Sequence, residues 1–139
     1  LSSPIECVLD ALNADEIVTG ALGVYDFGDG DAAAIFGRET LPIDKDIPAV
    51  FPAILVGFVS SSDESTRGAW GVYQQLGIRI IGTKHSSMKI VRDIAYRASF
   101  VLHEEGYTSI GHLTTLDPDN YPMASFSTFV HWVPDAGGT

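Results

Sequence analysis

The sequence predicts an α+β domain with a mainly antiparallel β-sheet and helices packed on one face. Three observations lead there. The chain has 139 residues, 45% of them hydrophobic and 19% charged, which suits one compact domain over residues 1–139 with a sizeable core. Stretches of helical periodicity alternate with stretches whose apolar residues recur at every second position. The strands come in consecutive pairs with polar links between them, the pattern of antiparallel hairpins rather than crossovers. No repeat or low-complexity segment interrupts the chain.

The first element is announced by "SSPIECVLDAL". Ser3 is placed to cap a helix, Pro4 suits its first turn, and Glu6 completes a capping box. Ile5, Val8, Leu9 and Leu12 then share one face. Asn13 is expected to interrupt this helix, with a further short turn in "ADEIVTGALG" before a strand "GVYDF". Residues 28–48 are rich in Gly, Asp and Pro and weakly periodic. They read as a long loop with a turn of helix around Ala32–Phe36.

"FPAILVGFVSSS" follows as a strand with Ile54, Val56 and Phe58 on one face and Leu55 and Val59 on the other. After a polar connection "SDESTRGA", "WGVYQQLGIRIIGT" places Trp70, Val72, Leu76, Ile78 and Ile80 together, against Tyr73, Gln75 and Arg79. These runs form a hairpin whose tip lies near Glu64–Gly68. "SSMKIVRDIAYRASFVLHEEG" is the longest helix, with Met88, Val91, Ala95, Ala98 and Leu102 as its apolar stripe, widened by Ile94 and Val101. Ser86 or Ser87 is positioned to cap it, Gly106 to end it, and Asp93 to pair with Arg97 one turn on. "YTSIGHLTTL" and "ASFSTFVHWV" are two more strands, joined by the turn-rich "DPDNYP". In the last, Ala124, Phe126, Val130 and Trp132 oppose Ser125, Ser127 and His131.

Composition narrows the function. The formal charge is −10, and the eight basic residues all lie between Arg38 and Arg97. Such a chain has no evident basic platform for gripping nucleic acid, although it suits a passage along which a polyanion slides without sticking. The longest apolar run, "AVFPAILVGFV", is broken by Pro52 and Gly57 and is too short to span a bilayer, so no membrane contact is expected. "LSSPIEC" at the start has neither a basic nor an apolar region of the secretory kind. Cys7 is the single cysteine, which excludes an internal disulfide and reads as a small buried hydrophobe on a helix.

Candidate chemical sites fail on spacing. "VYDFGDGDAA" gathers Asp26, Asp29 and Asp31, but a calcium loop counted from Asp26 meets Gly28 and Gly30 where acids are required. A kinase-type triplet would need a glycine-rich loop and a lysine strand ahead of it. The three aspartates therefore read as a solvated turn. No GxxxxGK[ST] or GxGxxG stretch exists. His85, His103, His112 and His131 lack HExxH spacing and thiol neighbours, and no nucleophile elbow is present. No cofactor, metal or enzymatic activity is expected. Glu104 and Glu105 stand at a helix C-terminus, where the macrodipole disfavours them, reading as a solvated end or as a contact with a basic neighbour in an assembly. Tyr73 and Phe100 fall opposite the apolar stripes, where partial burial or a subunit contact would explain them.

The capped first helix, the short "GVYDF" strand, the proline-bearing "FPAILVGF", the long "YQQLGIRIIGT", the helix "MKIVRDIAYRASFVLHEE" and the two closing strands resemble, in order and character, the tail-terminator or tail-completion proteins of long-tailed bacteriophages. The long acidic loop 28–48 and the strongly negative charge depart from that pattern. The resemblance implies a homo-oligomer, a hexameric ring seated on the tail tube protein. The ring faces the head–tail connector protein, and DNA passes through its lumen. It implies a virion location at the head–tail junction, reached from the host cytoplasm during assembly. Asp63, Glu64 and Arg67 at the hairpin tip, Asp29, Asp31 and Arg38 in the acidic loop, and Tyr73 and Phe100 are the candidate interface residues. The alternatives are another neck ring (a head-completion stopper or an adaptor), a small metal-dependent enzyme built on Asp26, Asp29 and Asp31, and a ligand-binding α+β module.

Overall fold

A computed structural model describes residues 3–38, 50–66, 69–84 and 86–132, with the backbone alone for 62–66, 69–70 and 132. The element order is α1 (Pro4–Asn13), α2 (Glu16–Ala21), β1 (Val24–Asp26), β2 (Asp31–Ala33), β3 (Ile35–Phe36), β4 (Ala53–Thr66), β5 (Ala69–Ile81), α3 (Met88–Glu104), β6 (Thr108–Leu116) and β7 (Pro122–Trp132). It is an α+β fold. The main sheet has the order β3-β4-β5-β7-β6, antiparallel throughout except for the short parallel β3–β4 pair.

The helices form where the sequence places their caps. Ser3 accepts from the backbone N–H of Glu6 at 3.3 Å with Pro4 behind it, and Asp15 caps α2 by accepting from Val18 at 3.0 Å. Ser87 caps α3 by accepting from Lys89. Its end is a Schellman turn: Gly106 sits at φ +89, with Tyr107 donating to Leu102 and Gly106 to His103.

One sheet face is dry. Ile54 and Val56 of β4, Leu76, Ile78 and Ile80 of β5, and Ala124, Phe126 and Val130 of β7 meet Val8 and Leu12 of α1, Val18 of α2, and Val91, Ala95, Ala98 and Leu102 of α3. Thr128 shares this face and is fully buried; its hydroxyl donates to the Thr108 carbonyl and accepts from Ser109. The face assignments read from the sequence hold for these residues. Two are exceptions: Phe58 is 45% exposed at a register shift between Phe58 and Ser60, and Met88, at the first position of α3, is exposed too.

Five readings are corrected. The stretch 28–48 is not one loop: β1 folds back on β2 in a hairpin, and β3 joins the main sheet beside Ile54 and Leu55. No helical turn forms at Ala32–Phe36, because backbone bonds from Ala34 to Gly23 and from Ile54 to Ala34 hold that segment extended. Residues 39–49 lie outside the described residues. "SDESTRGA" is not a free connection either, since β4–β5 pairing continues to Thr66↔Ala69. Polar character there does not mean loss of strand structure. Asp93 pairs with Lys89 rather than Arg97, whose guanidinium turns inward to Asp15. Cys7 is half-buried rather than buried.

Candidate assembly surfaces

The second sheet face divides into a covered end and an open end. At the start of β4, Phe36, Val50, Phe51, Leu55, Ile81 and Tyr121 form a second, smaller core, with Tyr25 and Met123 packed against it. The β1–β2 hairpin lies at this end, tied by the Gly23 N–H donating to the Pro52 carbonyl. Tyr25, Phe27 and Phe36 stack edge to face, with Tyr25 between ring centroids 4.9 and 5.1 Å away.

Beyond that core the face is bare. Gly57 and Gly77 are register partners, so two adjacent strands lack side chains at the same level. The result is a shallow groove of about 480 Å³ lined by Leu55, Val59, Arg79, Ser125 and Ser127. Val59 in its wall is 52% exposed, and on the neighbouring β6 Ile110 is 52% and Leu113 59% exposed. Ile110 and Leu113 flank a β-bulge in which Gly111 takes φ +77, so both project from this side, opposite Ser127 and Ser125. A ladder of polar side chains crosses the strands nearby, Ser60 donating to Gln75 at 3.2 Å and Gln75 to Ser127 at 3.1 Å.

At the far end, β4 and β5 outrun the sheet. Strand β7 ends opposite Val72. Among the described residues, the pairs Glu64↔Gly71, Ser65↔Trp70 and Thr66↔Ala69 therefore have no third strand beside them. At about 3.3 Å per residue these pairs, a two-stranded arm, extend roughly 10 Å past the last described residue of β7, Trp132. Tyr73 lies at the arm's base, 40% exposed, with its ring 4.9 Å from His131 on the neighbouring strand.

The sequence-predicted residues thus fall into three separate places. Glu64 belongs to the arm, paired with Gly71, while Asp63 pairs with Val72 at its base, where Tyr73 also lies; Arg67 lies outside the described residues. Asp29 and Asp31 are exposed at the β1–β2 turn, at the other end of the sheet, with Arg38 exposed just after β3. There Asp26 accepts from the Gly28 N–H at 2.8 Å, which makes the acidic stretch from Asp26 to Asp31 a solvated Asx turn. Phe100 is on α3, on the opposite layer of the molecule, half exposed beneath the Arg97 guanidinium. No group of three or more His, Cys, Asp or Glu that could hold a metal ion occurs among the described residues, and no helix there is long and apolar enough to cross a membrane.

Sequence reasoning missed Val59, Ile110 and Leu113. Their signal was the break in alternation at "IGHL", where two apolar residues three apart share a face only if a bulge intervenes. It also missed Asp117, which is buried at the β6–β7 turn and accepts at 2.9 Å from both Asp119 and Tyr121.

His112 occupies the same bulge but faces the helices, its ring stacked 4.8 Å from Phe126 and 5.1 Å from Tyr96. Burial lowers its pKa from the ordinary histidine value. Asp15 is lowered chiefly by the bond from Arg97, which donates to both carboxylate oxygens at 2.7 and 3.1 Å. Burial above all raises the Tyr107 phenol.

No family model matches the chain, and no curated protein matches it. Among solved structures the fold is similar to a chain of the "Virion of native gene transfer agent (GTA) particle", with a TM-score of 0.50 and 10% sequence identity over 90% of each chain. At that identity the likeness is one of fold.

Proposed function

We propose that this protein is a structural component of a tailed virion. Copies of it form a ring that caps the tail tube and joins it to the head connector, with DNA passing through the lumen. It works by assembly and not by catalysis. The observation that carries this reading is the polarity of the sheet. One end bears a projecting β4–β5 arm, the other an acidic β1–β2 hairpin, and between them lies an open face rimmed by Val59, Ile110 and Leu113. A subunit with different surfaces at its two ends and an apolar flank is suited to a closed ring of heterologous contacts. The similarity of fold to a virion chain supports a place in such a particle. The net charge of −10 suits a lumen through which DNA moves without adhering.

The arm provides the test. Replacing residues 64–71 by a two-residue hairpin turn removes only pairs that have no third strand among the described residues, and none of the residues named in either core. Particles grown with this variant should exclude it while the purified variant keeps its cooperative melt. Normal incorporation of the folded variant would overturn the assignment of the arm as a joining element.

A further inference from the structure

Both edges of the main sheet are bare over most of their length. At one edge stands β6, hydrogen-bonded among the described residues to β7 alone. At the other, β3 pairs with β4 only at Ile54 and Leu55, and the chain then turns aside, Gly37 lying against Leu9 and Ile5 of α1. From Gly57 onward the outer side of β4 has no strand beside it among the described residues, and Phe58, Val59, Ser60 and Ser61 are all exposed. Free edges are normally protected by charge, above all lysine, or by proline. The chain has 18 acids and 8 bases, yet none of them, and no proline, falls in residues 53–62 or 106–116. Each edge instead exposes large apolar side chains: Phe58 and Val59 on β4, and Ile110, Leu113 and Leu116 on β6.

We propose that the two edges join, β6 of one copy lying antiparallel against β4 of the next. The proposal rests on the ring reading above and names its side-to-side contact. Strand direction supports it. Strand β4 runs antiparallel to β6 within one sheet, so copies set side by side with the same face forward continue the antiparallel alternation. Strand β3 sets the register, because it leaves β4 open only from about Gly57. Thr115 opposite Gly57, Leu113 opposite Ser60 and Ile110 opposite Ser62 keep every side chain on its own face of the sheet. Each strand then passes its own irregularity, at Val59 on β4 and at Gly111 on β6. Val59 already leans over the open face, where a Cβ at Gly77 would stand 3.2 Å from its Cγ2, and the joint brings Leu113 of the other copy beside it. Phe58, opposite Leu76 on the helix side, comes up to the flank of α3, where Tyr96 is 54% exposed. Nine residues of strand make a joint about 30 Å long, and with the α3 flank about 20 Å deep, which covers roughly 1,200 Å² over the two copies, enough for a specific interface. Pairing of like edges would turn alternate copies upside down and lose the polarity that sets every arm at one end.

Cysteine cross-linking of the full chain tests the proposal, on the purified protein and on particles containing it, in a Cys7→Ser background that leaves only introduced thiols. Within one copy β5 and β7 stand between the edges and keep positions 59 and 113 at least about 14 Å apart, outside the reach of a disulfide. Val59→Cys combined with Leu113→Cys should give, on oxidation, a ladder of linked multimers at multiples of 14.9 kDa. Each single variant should stay unlinked, and a mixture of the two should give a linked dimer. Both positions are exposed, so these variants should keep the melting temperature of their background. Linked dimers from either single variant alone, or no ladder in either preparation, would overturn the edge pairing. The ring reading fails separately: multimers of the wild type in sedimentation velocity without the ladder sink this contact and leave the ring, whereas absence of the chain from particles sinks the ring itself.

Discussion

Asp117 is the residue whose loss should be felt most for its size. It sits 8% exposed at the start of the β6–β7 turn, and its Oδ1 accepts from the backbone N–H groups of Asp119 and Tyr121, each at 2.9 Å. The backbone of the same residue exchanges both hydrogen bonds of a closing turn, its N–H donating to Tyr121 and its carbonyl accepting from Asn120, which stands at φ +67. The side chain is therefore what fixes the turn that sets β6 in register with β7. A hydrogen bond to a charged acceptor contributes about 1.5–3 kcal/mol, and a buried N–H left unpaired costs a further fraction of that. The Asp119 N–H is near enough to solvent to find water, whereas the Tyr121 N–H is buried. Asp117→Ala should then cost about 2–4 kcal/mol, or a fall in Tm of roughly 6–16 °C at about 3–4 °C per kcal/mol for a domain of this size. Asp117→Asn keeps an oxygen where both donors point and should cost less than half as much. Differential scanning calorimetry of the two variants decides it. An Asp117→Ala protein that melts with the wild type, or an Asn variant as damaged as the Ala variant, would refute the assignment of this carboxylate as the organiser of the turn.

Two further outcomes follow from the packing and the charges. A Cβ at Gly82 would stand 2.9 Å from Cγ1 of the fully buried Val91 and 3.0 Å from the Ser86 hydroxyl, so Gly82→Ala should lower stability by about 1–3 kcal/mol in urea melts, while an unchanged midpoint would mean that α3 shifts freely on the sheet. The Asp15 carboxyl is held below its ordinary value of 3.8 by Arg97, so its stabilisation is complete above that value and is lost as pH falls through the lowered one. Asp15→Asn should accordingly flatten the acid limb of a pH series of urea midpoints below about pH 4, and an unchanged slope would remove the pair from the account.

How much of this was legible beforehand depends on whether a residue's role is local. The caps at Ser3 and Ser87 and the Schellman glycine Gly106 are set by neighbours in sequence and were read correctly. So were Val91, Ala95, Ala98 and Leu102 of α3, Leu76, Ile78 and Ile80 of β5, and Ala124, Phe126 and Val130 of β7, whose periodicity is imposed by a single buried face. The failures are all relational. Asp31–Ala33 is too short to show alternation and becomes a strand only because Val24–Asp26 lies beside it. Ser62–Thr66 is polar throughout and becomes strand only because Ala69–Tyr73 pairs with it. Arg97 had an acid one turn away in the sequence and took another, 82 positions off, because α2 presents Asp15 to both of its donor nitrogens. The open groove was invisible for the same reason: it needs Gly57 and Gly77 to be opposite each other, which only register decides. Of the surface residues named in advance, Asp29, Asp31, Arg38, Tyr73 and Phe100 are exposed, but the fold distributes them over three surfaces, and no spacing in the chain foretold that.

The proposed role in a virion is tested most directly by electron microscopy of particles from a phage whose gene for this protein carries a stop codon at Trp70. A ring that caps the tube and joins it to the head predicts overlong, unjoined tails beside DNA-filled heads. Tails of normal length beside heads that have lost their DNA would transfer the protein to a stopper ring of the neck, and normal infectious particles would contradict a structural role altogether.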